Sequence, residues 1–158
     1  MASKSENVAD YPRPPALERV DLPIVVEFGG KRVAETQWGY RVLETFHPPT
    51  YYLPPSAFTQ GSLVPASWRS SFCEWKGRAR YFDVVSGDQT AEAAAWCYPD
   101  PTPRFADIRD FIALYAEPMD RCIVGGDVVQ PQPGNFYGGW VTSNITGPIK
   151  GAPGTNHW

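Results

Sequence analysis

Seven residues combine the types and contexts that small-molecule recognition uses: Arg41, Glu44, Trp75, Lys76, Trp96, Trp140 and Lys150. Three tryptophans supply flat apolar walls, and two lysines sit directly before glycines, in Lys76-Gly77 and Lys150-Gly151, where a ligand can come close to the backbone. Arg41 and Glu44 fall on opposite faces of one predicted strand, so a buried face brings one of the two charges inside, where it needs a partner. Such a set suits a planar ligand with a polar or anionic group. The same tryptophans would serve equally well as core.

Catalytic and metal chemistries find less support. No residue is assigned a catalytic role. Cys73, Cys97 and Cys122 form an odd, widely spaced set without a Cys-x-x-Cys pair, so no metal site is expected, although His47 could complete a fourth ligand by an unusual convergence. A Cys73–His47 nucleophile pair has no motif behind it. Asp83, Asp88, Asp107 and Asp110 read as solvated charges rather than a metal-holding carboxylate pair. There is no P-loop and no dinucleotide fingerprint, and no cofactor is expected.

The elements that must position these residues are short strands. Seventeen prolines and 14 glycines among 158 residues argue for many turns, and 42% hydrophobic residues suffice for a core. Residues 72–81 alternate, with Cys73, Trp75, Gly77, Ala79 and Tyr81 on one face and Glu74, Lys76, Arg78 and Arg80 on the other, which predicts one half-buried strand. A strand at 91–98 follows across Ser86-Gly87-Asp88-Gln89 and completes a central hairpin. Its register decides whether Trp96 shares a face with Trp75. Gly29-Gly30 and Gly125-Gly126 each separate two apolar runs and predict tight hairpins. A third strand spans 39–45, a stiff proline-rich loop 48–55, a weak strand 61–68, a short helix 103–110 and a further strand 111–116. Thr102 is a candidate cap for that helix and Pro103 suits its first turn. Residues 1–10 are expected to be flexible and 11–158 to form one domain, with Tyr11-Pro12-Arg13-Pro14-Pro15 as an extended arm along it. From Pro131 on, Phe136, Tyr137, Trp140 and Trp158 predict an ordered, irregular segment wrapped on the sheet.

Several function classes recede. A net charge of −3 gives no basic excess for a nucleic-acid backbone. No run of roughly 20 apolar residues is present, so no membrane partner is expected. Without an apolar signal segment, and with unpaired cysteines, a cytoplasmic location is expected, and Asn144-Ile145-Thr146 is a chance sequon. Oligomeric state is left open.

Several stretches together carry a resemblance: Tyr11-Pro12-Arg13-Pro14-Pro15, Arg41 to Thr45, Pro49 to Pro55, Cys73 to Tyr81, Ala95 to Pro101, Phe136 to Thr142 and Gly147 to Thr155. In these the chain resembles the domain-of-unknown-function 427 family in its longer form, which has a C-terminal segment of this kind. The resemblance implies an all-β, mainly antiparallel domain like the β-tent folds, with two sheets leaning together at one edge, one short helix and a wrapped C-terminal segment. It implies no settled activity. A label attached to that family suggests nucleotidyl transfer, which the acidic residues named above do not support. Three functions are therefore carried forward. The first is a module binding a small planar, polar or anionic molecule. The second is an enzyme acting on a small phosphorylated or nucleotide-like substrate through Arg41, Glu44, Lys76 and Lys150. The third is a protein-interaction module using the proline-rich arm or the C-terminal segment.

Overall fold

The fold was analysed as a computed structural model, which describes residues 4–73, 75–134 and 137–152. Two four-stranded antiparallel sheets form the body. One has the order Asp127–Val128, Arg121–Val124, Ile24–Phe28, Lys31–Thr36. The second has the order Ala113–Leu114, Gln89–Cys97, Gly77–Ser86, Leu63–Cys73. A three-stranded sheet, Ala16–Val20, Gly39–Leu43 and Thr50–Tyr52, lies beside them. The architecture is the all-β, antiparallel pair of sheets that the pattern of short strands and glycine turns predicts.

Both double-glycine hairpins form as expected, because all four glycines take the positive φ that such turns require. The second sheet is covered on both faces, and this explains its apolar content. Val84, Ala91, Ala95 and Cys97 pack with Ile24, Val26, Cys122 and Val124 of the first sheet. Tyr81, Trp96 and Tyr98 pack on the other face with Val42 and Tyr52 of the third sheet and with Phe105 and Ile108.

The organisation departs from expectation at four places. Residues 72–81 are not one strand. The chain reverses between Cys73 and Gly77, which are register partners, and Gly77 takes a φ of 109° there. Trp75 and Lys76 therefore stand at a hairpin tip instead of within a ladder. Thr102 pins that tip: its Oγ1 donates to the Trp75 carbonyl and its N–H donates to the Lys76 carbonyl, so its hydroxyl does not cap the following turn. The helix itself is a 3₁₀ element, Pro103–Ile108, and the strand after it shrinks to Ala113–Leu114. The proline-rich loop holds a three-residue edge strand, Thr50–Tyr52, where the flanking prolines interrupt no central ladder. Residues 6–10, expected to be mobile, are engaged: Glu6–Asn7 pairs in parallel with Ile145–Thr146, and Val8 is fully buried.

The C-terminal segment is docked as far as it is described. Trp140 is fully buried, stacks on Tyr51 at 5.3 Å, and donates Nε1–H to the Leu114 carbonyl at 2.9 Å. Phe136 and Trp158, part of the same expectation, lie outside the described residues. Among the described residues, no helix is long and apolar enough to cross a membrane.

Candidate functional site

Three parts of the chain converge on a cleft of about 290 Å³. The central sheet contributes Cys73, Trp75, Lys76, Tyr81, Trp96 and Tyr98. Alternation and register explain this set. Tyr81 pairs with Trp96, and Ser71 with Ala79, so the odd-numbered residues of both strands and the facing Trp96 share one face. A hydrogen bond of 2.9 Å between the Ser71 and Tyr81 hydroxyls ties the first two strands together there. The third sheet and the loop after it supply Val42, Glu44, His47, Thr50 and Tyr52. The C-terminal segment closes the cleft with Gln132, Tyr137, Gly138 and Lys150. Gly138 lies against the indole of Trp96, where even a Cβ would fall 2.2 Å from the ring.

The electrostatics are lopsided. Lys76 Nζ lies 5.8 Å from the Tyr98 ring centroid and Lys150 Nζ 5.3 Å from that of Tyr137, so each ammonium rides on an aromatic face at the cleft. Burial, reinforced by the charges of Lys150 and Lys76, pushes His47 down to about 4, and the imidazole is neutral at physiological pH. Burial also raises the Tyr52 and Tyr98 phenols, which stay protonated. Glu44 is the acid that the described lining presents.

Five of the seven sequence candidates thus line one cleft: Glu44, Trp75, Lys76, Trp96 and Lys150. Two do not. Trp140 sits fully buried within the main core, stacked on Tyr51 and with its one polar atom satisfied, so it offers no surface to a ligand. Arg41 points to a separate hollow, where it bonds Glu18 at 2.7 Å and Glu6 at 2.9 Å. Burial opposes the Arg41 charge, but those two carboxylates more than compensate and raise its pKa. Arg41 and Glu44 differ in their surroundings: Arg41 is the ion-paired member within the strand, and Glu44 follows just past the strand's end at Leu43. Lys76, which simple alternation aims away from Trp75, joins the cleft because both stand at the hairpin tip.

Other candidate chemistries disperse. Cys97 and Cys122 are buried in the main core, and burial raises their thiols to about 11 and about 12, whereas Cys73 and His47 line the cleft. Among the described residues no three His, Cys, Asp or Glu side chains converge as a metal-holding group. Asp83 accepts the Ala93 N–H at 2.8 Å, at a bulge where Ala93 takes a positive φ, which is a structural task. Nothing in the sequence had marked Tyr98, Gln132, Tyr137 and Gly138 as cleft residues, and Tyr52, which could close a pocket or cover the core, does both. Tyr98 follows Trp96 at a spacing of two, one residue past the end of the strand and still in bridge pairing with Arg109, and was recoverable from alternation. Gln132 carried no local signal.

Domain of unknown function (DUF427) matches residues 16–125, well over half of the chain. Comparison with curated proteins finds no match. The matched region includes the second and third sheets and the first except its edge strand Asp127–Val128, and it stops before Gln132, Tyr137, Gly138 and Lys150. The chain belongs to the DUF427 family.

Proposed function

We propose that this chain binds a small planar molecule bearing a polar or anionic group, in the cleft lined by Trp75, Trp96, Lys76, Lys150 and Glu44. The observation that carries this reading is the convergence of two lysines and several aromatic rings, from three separate parts of the chain, on one recess of about 290 Å³. Pure core packing does not call for two ammonium groups resting on tyrosine faces around a recess. The C-terminal segment, which resembles that of the family's longer form, acts as the wall that completes the recess. The test is native mass spectrometry of freshly purified protein, followed by titration of a panel of planar metabolites against tryptophan emission. A saturable response that Trp75→Ala removes supports binding. No retained molecule and no response across the panel would end it.

A second reading rests on Glu44, His47 and Cys73 lining the same cleft: an enzyme acting on a small phosphorylated or nucleotide-like substrate. Turnover of a bound compound, with or without added divalent metal, separates it from simple binding.

A further inference from the structure

Gln132 is 4% exposed, and its side-chain amide makes three hydrogen bonds. Its Oε1 accepts the Gly139 N–H at 3.0 Å. That fixes which end of the amide is oxygen, since a backbone N–H cannot face the NH₂ group. Its Nε2 therefore has two protons to give. One goes to the Lys150 carbonyl at 2.9 Å, and the other points at His47 Nδ1, 3.1 Å away. An imidazole nitrogen that receives a proton in a hydrogen bond cannot carry one. Nδ1 is then the bare nitrogen, and the single proton of the neutral ring resides on Nε2. The ring itself is held edge-on against Tyr137, with centroids 4.8 Å apart, and lines the cleft. Nε2 makes no hydrogen bond to any described residue.

Resting on the binding function proposed above, we infer that His47 is a fixed neutral donor in an oxyanion site, with its Nε2–H, Lys76 Nζ and Lys150 Nζ facing a carboxylate or phosphate group on a planar aromatic ligand. Gln132 is the positioning residue that selects the tautomer. Three donors of two kinds, mobile ammonium groups and one rigid N–H, are what an oxyanion beside a flat ring requires. The C-terminal segment couples them, because the same Gln132 amide holds the backbone of Lys150 and the ring of His47. Charge supports the assignment: Lys150, Lys76 and Arg13 all disfavour a proton on His47 from their separate elements, a field that favours an incoming anion.

The first test needs no ligand. Long-range ¹H–¹⁵N correlation of the full chain at pH 7, with the ring assigned by comparison with His47→Gln, should show His47 protonated at Nε2 and bare at Nδ1. The opposite tautomer, or an imidazolium, overturns the inference whatever the cleft binds. Gln132→Met, which keeps the length and removes the donor, should give a mixture of the two tautomers. An unchanged spectrum in that variant also overturns it.

The second test titrates matched aromatic compounds: a carboxylate, a monophosphate and the uncharged carboxamide or alcohol of the same ring. At least one anion should bind tenfold or more tightly than its neutral counterpart, and which anion wins identifies the group. Equal affinity for neutral and charged forms refutes the oxyanion site but leaves the binding function standing. No binding by any of them removes the binding function itself. His47→Leu should lose about tenfold in affinity for the preferred anion, the ordinary value of one hydrogen bond to a charged group. His47→Gln, whose amide nitrogen reaches near the Nε2 position, should lose less. Equal loss in the two variants counts against a donor role.

Discussion

Truncating Trp140 tests whether the C-terminal segment is part of the fold. The residue is fully buried, stacked on Tyr51 with the rings 25° apart, and bonded through Nε1 to the Leu114 carbonyl. Its backbone N–H also donates to the Pro49 carbonyl at 2.8 Å. Trp140→Ala removes the ring and leaves a cavity, which costs about 3–5 kcal/mol at a buried aromatic site. It also leaves the Leu114 carbonyl without its partner, roughly 1–3 kcal/mol more if water cannot reach it. A loss of at least about 4 kcal/mol is expected, a large share of the roughly 5–15 kcal/mol available to a domain of this kind. Trp140→Phe keeps most of the packing and loses the hydrogen bond, so about 2 kcal/mol is expected. Urea unfolding followed by far-ultraviolet circular dichroism gives both values, and the alanine variant should melt about 10 °C lower or more. If Trp140→Ala shifts stability by less than about 1 kcal/mol with an unchanged urea slope, the segment is not docked as described.

The remaining expectations concern charge and fit. His47 takes up a proton near pH 6.5 when unfolded but only near 4 when folded, so the unfolded chain binds more protons between those values. Stability should therefore fall as pH drops from about 6.5 to about 4, by up to about 3 kcal/mol, with no contribution from this residue above that window; His47→Gln should flatten that part of the profile in thermal melts. Gly138→Ala forces a methyl group into the Trp96 ring and should cost about 1–3 kcal/mol while shifting tryptophan emission; a variant that melts like the parent contradicts the close approach. Arg41→Leu strips Glu6 and Glu18 of their shared partner and should cost about 2 kcal/mol, yet leave any affinity of the cleft unchanged because Arg41 faces another hollow. A loss of ligand response in that variant, at full folding, would return Arg41 to the site.

The elements most legible in the sequence were those whose conformation is decided locally. Gly29-Gly30 and Gly125-Gly126 take positive φ in tight turns, and no other residue type does so at so little cost. The reversal after Cys73 was hidden for a geometric reason. Cys73 pairs with Gly77 and Ser71 with Ala79, so residue numbers of the same parity share a face on both strands. Alternation therefore runs through the turn unbroken, and a period of two cannot distinguish one ten-residue strand from two strands folded on each other. The one local sign was Gly77, whose φ of 109° is unavailable to the residues around it. The role of Trp140 was equally ambiguous. An aromatic ring among glycines suits a cleft wall or a docked plug, and only the nearby Tyr51 and Leu114, distant in sequence, decide for the plug. Lys76 was assigned the outer face by alternation and reaches the cleft because Thr102 pins the tip that carries it.

The cleft also divides chemistry from scaffold along the chain. Its apolar walls, Tyr52, Tyr81, Trp96 and Tyr98, come from sheets within the family-matched region and are held by strand register. Part of what would discriminate one ligand from another comes later, from Gln132, Tyr137, Gly138 and Lys150. That later part is fastened by two short strand pairs, Gln130–Pro131 with Trp140–Val141 and Glu6–Asn7 with Ile145–Thr146, and by a few directional contacts: Gln132 N–H to the Gly139 carbonyl, the Lys150 N–H to the Phe46 carbonyl at 2.8 Å, and the buried Gln132 amide. His47 lies at the seam between the two parts, its ring supplied by the family-matched region and its tautomer set by Gln132 of the later segment. A change at position 132 therefore reaches the cleft through a proton as well as through the bonds that hold Gly139 and Lys150 in place. For that reason the imidazole spectrum, and not the melting temperature alone, reports whether the segment participates in recognition.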